Sequence, residues 1–317
     1  MLHPFNLPFE LGDLIFTSLP PSALAQLCLV SRYSYARCLP HLYHHVHIKI
    51  RRHWRQLDLA LKRSPLLRQV LRTYTKQLTV TCCQSSYQWL ITQAQADWCQ
   101  RWLANLHTLT FCDFAILHVE QVAWFLAHPT INSLRFRYCN LVCHDQVEAY
   151  IPLAPEDHPS ISIYQLPAPY YYHNTRAPFV VPASLSPVSC LDLESTDFSS
   201  VAIQHLLQLV PRITSASFGA NHNRIKDANS SALDALRTAC PTIHTLKTAL
   251  QQIHPSSLHS LIAFYGVQLL SLDLSCHDAT TLTTVAQHAT HVKHLVLHPA
   301  STIRKARPQS THWTPPI

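Results

Sequence analysis

Glycine is scarce: the chain of 317 residues holds three, Gly12, Gly219 and Gly266, far apart from one another. A loop that cradles phosphate with backbone N–H groups needs several glycines close together, so Walker-type and dinucleotide-binding loops are excluded. Charge is sparse too, 13% of residues against 47% hydrophobic ones, which excludes a long disordered polyelectrolyte and predicts a folded chain with a sizeable core. No uninterrupted apolar run reaches the roughly 18 residues of a membrane span. There is no Gly-x-Ser-x-Gly elbow to hold a nucleophile, and the adjacent Cys82 and Cys83 lack the Cys-x-x-Cys spacing that tunes a thiolate.

The charge that is present sums to +7, concentrated in residues 49–76 and 301–308 instead of along one stripe. In the first of these runs only Trp54 and Tyr74 are interleaved, too little for a stacking platform, so nucleic acid is not favoured as a partner and neither is a membrane surface. The eleven cysteines are irregularly spaced, several beside apolar neighbours, and read as buried reduced thiols. Glu10, Asp13 and four early prolines leave no basic, apolar signal sequence, which points to the cytoplasm or nucleus.

The N-terminal segment predicts three short helices. Pro8 suits a first helical turn, Leu11, Leu14, Ile15, Ser18 and Leu19 recur at helical spacing, and Ser22 is placed to cap the second helix. The order Leu7-Pro8-x-Glu10-Leu11, Ile15, Leu19, Leu24, Leu27, Val30-Ser31-Arg32 and Pro40-x-Leu42-Tyr43 resembles an F-box, with Tyr33 and Tyr35 where that family often places tryptophan. The resemblance implies a helical module that docks on the Skp adaptor of a Skp–cullin–F-box ubiquitin ligase, with Leu7, Pro8, Ile15, Leu19 and Leu24 as contacts. About 45 residues bury too little surface to be comfortable alone, which suits a module with a partner. The alternative is a cap on the domain that follows.

Beyond residue 76 an apolar pattern recurs. Ile131, Leu134, Phe136, Cys139 and Leu141 fit every position of the leucine-rich-repeat template, and Ile213, Ala216, Phe218 and Asn221 fit it again. Weaker copies surround Leu109, Leu191, Leu246, Leu272 and Leu295, and Leu78 with Val80 opens the series. Segments with helical spacing lie between them, at 117–126, 201–210, 233–239, 258–264 and 282–289. The fold class expected is therefore α/β: a helical F-box followed by a leucine-rich-repeat solenoid, a curved parallel sheet with outer helices. An ordinary α/β sheet with irregular crossovers is the alternative. The boundaries read as 1–48 for the F-box-like module, 49–76 for a basic helical linker, 77–300 for the solenoid with a proline-rich insertion at 152–187, and 301–317 for a flexible tail.

Within the insertion, Tyr170, Tyr171 and Tyr172 stand together, either as contact residues for a partner or packed on the solenoid. Strand alternation turns Thr110, Arg135, Arg137, Asp192, Ser217, Lys247, Asp273 and Val296 away from the leucine core, and of these Arg135, Arg137, Asp192, Lys247 and Asp273 are the candidate contacts for a target protein. Cys139-x-x-x-Cys143-His144 lacks a second Cys/His pair at finger spacing and reads as packing, while His45 and His47 are placed to share one strand face. No catalytic residue, metal ligand or cofactor is expected. The sequence thus reads as a non-enzymatic substrate-recognition adaptor of a cullin-RING ligase, or alternatively as a repeat scaffold with no ligase connection.

Overall fold

A computed structural model describes residues 9–49, 51–82, 91–143, 186–219, 226–250, 252–275 and 279–298. Leu7, Pro8, Tyr170, Tyr171, Tyr172 and the segment 301–317 lie outside them. Three helices come first, α1 (Phe9–Ser18), α2 (Pro21–Cys28) and α3 (Arg32–Leu42). Pro21 opens α2 with Pro20 as its N-cap, so the cap expected at Ser22 is displaced by a proline whose missing N–H costs nothing in a first turn. Ser31 caps α3, its hydroxyl accepting the N–H of Ser34 at 3.0 Å.

The solenoid then follows as β1 (His45–Ile48), α4 (Arg51–Arg63), α5 (Pro65–Tyr74), β2 (Gln77–Thr81), α6 (Gln93–Trp102), β3 (Thr108–Cys112), β4 (Leu117–His118), α7 (Val119–Leu126), β5 (Ser133–Arg137) and β6 (Asn140–Val142). It continues through β7 (Cys190–Glu194), β8 (Asp197–Phe198), α8 (Ser200–Leu209), β9 (Ser215–Phe218), α9 (Lys226–Ala239), β10 (Thr245–Thr248), α10 (Pro255–Tyr265), β11 (Ser271–Leu274), α11 (Ala279–His288) and β12 (His294–Leu297). Nine strands form one parallel sheet in chain order, β1-β2-β3-β5-β7-β9-β10-β11-β12, and β4, β6 and β8 form a second, three-stranded parallel sheet. A sheet built in strict chain order, with the helices of the described crossovers packed one on the next, is a solenoid and not a doubly wound sheet.

The register explains why. Leu78, Leu109, Leu134, Leu191, Ala216, Leu246 and Leu272 are successive Cα partners, and so are Ile48, Val80, Phe111, Phe136, Leu193, Phe218, Thr248 and Leu274. Both rows are buried beneath the helices. Helices are about 10 Å across whereas strands lie about 4.8 Å apart, so stacking helices on one face bends the sheet with its open face inside.

The sheet opens one strand earlier than the sequence suggested. β1 lies inside the segment assigned to the N-terminal module; the shared face of His45 and His47 is there as expected, and the strand pairs with β2 over its whole length. The basic stretch 49–76 is the helical face of the first unit instead of a linker: Trp54, Leu61, Val70 and Leu71 are buried, and Arg52, Arg55, Lys62 and Arg63 lie on the outside.

Repetition extends to the turns. Asp113, Tyr138 and Ser195 each follow the last residue of β3, β5 or β7, and all three have positive φ. The next residues, Phe114, Cys139 and Thr196, turn inward and are buried. One glycine is required by close approach: a Cβ on Gly266 would meet the carbonyl oxygen of His288 at 2.5 Å, where α10 ends against α11. Beside it the hydroxyl of Tyr265 bridges the carbonyls of Leu236 and Cys240 at 2.7 and 2.6 Å at the end of α9, the Leu236 carbonyl also accepting the Cys240 N–H.

Phe111 is the centre of an aromatic cluster, stacked on Phe136 and edge-on to Phe114 and Phe125. Phe111→Ala is expected to cost about 3–5 kcal/mol in urea denaturation. Thr248 is the one polar residue among the described inward positions of its row, and its hydroxyl has no hydrogen-bond partner among the described residues. Thr248→Val removes that buried polar atom at nearly constant shape and is expected to stabilise the chain by about 1 kcal/mol. A loss of stability in that variant would mean that the hydroxyl is bonded.

Candidate binding surfaces

The helical trio presents an inverted amphipathic face. α1 is held to α3 through Asp13 and Phe16: Arg37 donates to Asp13 at 3.3 Å and lies over the Phe16 ring, His41 lies 3.4 Å from the same carboxylate, and Gly12 leaves room for the guanidinium. The apolar side of α1, with Leu11, Leu14 and Ile15, is turned to solvent, Leu14 being 68% exposed. Leu29 (87%), Val30 and Tyr33 are also exposed, at the α2–α3 turn. Of the residues expected to meet a partner, Ile15 is exposed and Leu19 half-buried, but Leu24 is only 4% exposed. Leu24 is therefore corrected to a core position: α2 packs on α3, and Leu24 is buried together with Cys38 and Leu39. Leu14, Leu29 and Val30 take its place on the surface; their helical spacing is visible in the sequence, but the side to which α3 would bind is not.

A second surface is the open face of the sheet. His47, Thr79, Thr110, Arg135, Asp192, Ser217, Lys247, Asp273 and Val296 are successive register partners and form one row across it, so the structure brings the charged candidates of separate repeats together. Thr110 is the exception in exposure, being buried within the row. The next row carries Arg137, whose Nε forms an ion pair with Glu194 Oε2 at 3.0 Å. Lys247 Nζ stands 3.8 Å from Asp273, and His298 Nε2 stands 3.0 Å from the other oxygen of the same carboxylate, a close ion-pair distance without hydrogen-bond alignment. Arg135 and Asp192 are neighbours in register yet form no ion pair, and the Nε of Arg135 is buried with no partner among the described residues.

His45 and His47 also lie on this face, their rings stacked 6.2 Å apart, and their Nε2 atoms are joined to the hydroxyls of Thr79 and Thr81 at 2.8 Å. Cys139 does not join a ligand cluster; its thiol donates to the carbonyls of Phe111 and Arg137, and burial pushes it up to about 12. A shallow cleft between α4 and α6 is lined by Trp54, Asp58, Gln95 and Trp98, with the Trp98 indole donating to Asp58 at 3.2 Å.

Comparison with known proteins adds little. No family model matches the chain, and no curated protein matches it. Among solved structures, the leucine-rich repeat-containing protein LegL7 from Legionella pneumophila is similar, with 13% identity and a TM-score of 0.38 over 80% of this chain and 72% of that one. A likeness that loose carries no argument, and the solenoid assignment rests on strand order and register. Among the described residues no helix is long and apolar enough to cross a membrane.

Histidine burial makes the fold sensitive to acid. His128 is neutral by construction: its Nε2–H donates to the Leu103 carbonyl at 3.0 Å and its Nδ1 accepts the Thr130 N–H at 3.4 Å. Burial lowers its pKa, and likewise those of His44, His45 and His47, from the ordinary 6.5. A lowered folded-state value means that the unfolded chain binds protons first, so this contribution is complete above about pH 6.5 and is lost as pH falls through the folded-state values. Denaturation at pH 7.5 and pH 5 is expected to show the loss, and His128→Gln to reduce it; an unchanged pH dependence would remove His128 from the account.

Proposed function

We propose that the chain is a non-catalytic receptor that docks on a Skp-type adaptor of a cullin-RING ligase through α1–α3 and captures a target protein on the open face of its sheet. The observation that carries the first half is the orientation of α1, whose Asp13 and Phe16 are turned to α3 while Leu11, Leu14 and Ile15 face outward. An apolar helix face so placed is what a partner's groove accepts. The F-box-like order of residues around it supplies the class of partner. The second half rests on the row of charged and hydroxyl side chains across the sheet, contributed by separate repeats and held on rigid strands.

The capping reading has its own support. α3 packs on α5, and the Thr75 hydroxyl donates to the Tyr43 carbonyl at 2.9 Å, joining the trio to the first unit of the solenoid. Capping uses the α3 side and leaves the α1 side open, so it accounts for the attachment and not for the exposed leucines. As a scaffold without a ligase connection, the protein would still use the sheet face.

The discriminating experiment is a binding assay with the purified Skp adaptor, comparing the full chain with a Leu14→Asp, Ile15→Asp variant whose circular dichroism is unchanged. Binding weakened about tenfold or more in the variant, roughly 1.4 kcal/mol or above, supports the docking face. Absence of binding by the unaltered chain reduces the trio to a cap.

A further inference from the structure

Three ligand-type side chains from successive units meet on the helix side of the solenoid. β4 runs directly into α7, whose first turn carries Glu120. β6 pairs with β4 through Leu117↔Leu141 and His118↔Val142, which brings Cys143, the residue after β6, level with the start of α7. β8 pairs with β6 through Leu141↔Phe198 and leads into α8, which carries His205. α7 packs on α8, although the strand β5 lies between β3 and β7 in the sheet, so side chains of both helices reach the place where the chain leaves β6.

There, Cys143 Sγ and His205 Nδ1 stand 3.4 Å apart, and these two atoms and a carboxylate oxygen of Glu120 all lie within 4.8 Å of one another. Cys143 is 2% exposed, Glu120 and His205 half-buried. Tetrahedral zinc, with bonds of about 2.3 Å to sulfur and 2.0–2.1 Å to nitrogen, sets those two ligand atoms about 3.5 Å apart, so the thiol and imidazole already have the required separation. The carboxylate oxygen, within 4.8 Å of the other two atoms, has up to about 1.4 Å to close, a shift within reach of a glutamate rotamer adjustment.

We propose that Glu120, Cys143 and His205 bind a transition-metal dication, zinc above all, and so tie three successive units of the solenoid together. The donor set selects the ion: a thiolate and an imidazole disfavour magnesium and calcium, while the carboxylate, imidazole and thiolate together suit zinc. Charge balance favours it as well, because a thiolate and a carboxylate neutralise the dication in a half-buried place. On binding, the Cys143 S–H bond breaks, its proton goes to solvent, and the sulfur lone pair forms the bond to the metal. The fourth position is left to water or a further ligand. The competing account is that Cys143 and His205 form only a thiol–imidazole hydrogen bond. This inference is independent of ligase docking.

The test uses the full chain, stripped with a chelator and dialysed against zinc, beside Cys143→Ser, His205→Gln and Glu120→Gln variants. All four are first checked for folding in chelator by circular dichroism and thermal melting. The expected result is zinc bound by the unaltered chain in excess of each variant and a rise in Tm on adding zinc that the variants lack. Cobalt substitution should give a thiolate-to-metal charge-transfer band that disappears in Cys143→Ser. A zinc content equal to that of the variants, or a charge-transfer band that survives Cys143→Ser, overturns the proposal. Should one variant fail to fold, the other two carry the comparison.

Discussion

Everything in this molecule depends on strands that stack in register. Because neighbouring strands are parallel and unshifted, the inward residue of one repeat always meets the inward residue of the next, and two rows of apolar side chains run the length of the sheet. A slip of one residue at any strand would turn its leucines to the open face and its serines, threonines and charges into the core. Each fully buried Leu or Phe is worth about 1.5–3 kcal/mol, so a slipped strand loses several such contributions at once. The register also fixes what lies outside: a row of eight polar residues and Val296 from nine strands, brought together without any contact between them in sequence.

The same constraint governs the turns. Asp113, Tyr138 and Ser195 adopt positive φ without being glycine, a conformation that costs energy in any one turn. It recurs because the backbone ladder continues past the strands: Asp113 N–H donates to Arg137 O, and Tyr138 N–H donates to Glu194 O. The residue after each then points inward, and Cys139 and Thr196 bond their side chains to the carbonyl two residues back. Cysteine and threonine thus perform one structural task, which explains why the template tolerates either. Chain scarcity of glycine is no obstacle to a repeat whose turns are stabilised by their neighbours.

Period was legible in the sequence, and partnership was not. Alternation and spacing located β3, β5, β7, β9, β10, β11 and β12 and the helices from α7 to α11, because each depends on which face of its own element is apolar. The alternation of His45 and His47 was legible in β1, but not its place as the first strand of the sheet, because nothing local says that it pairs with β2. α4 and α5 read as a linker because their charges outnumber the apolar stripe of Trp54, Leu61, Val70 and Leu71. Leu24 and Leu14 look alike in a helical pattern, and only the packing of α1 and α2 on α3 buries the one and exposes the other. The meeting of Glu120, Cys143 and His205 leaves no local signal at all, because β4, β6 and β8 must first pair before residues from three units share one place.

The two proposed surfaces differ in kind because the register has already consumed the apolar residues of the sheet. What remains on the open face is mostly hydroxyl, imidazole and charge, so the recognition proposed there would draw on hydrogen bonds and charge complementarity more than on apolar area. Some of those groups are satisfied within the face, as Arg137 is by Glu194 and His45 by Thr79. Arg135 is not: its Nε is withdrawn from water with no partner among the described residues, while Asp192 beside it forms no ion pair. A desolvated donor of this sort costs the free protein about 1–3 kcal/mol, and a carboxylate or carbonyl from a bound protein that reached it would recover much of that cost. The N-terminal helices pose the opposite problem. On α1 the outward side carries Leu11, Leu14 and Ile15 while Asp13 is turned to α3, so the association proposed there would draw mainly on removing Leu14, Ile15 and Leu29 from water. The two proposed surfaces therefore differ in chemistry, an apolar helix face at one end and a mainly polar face on the strands.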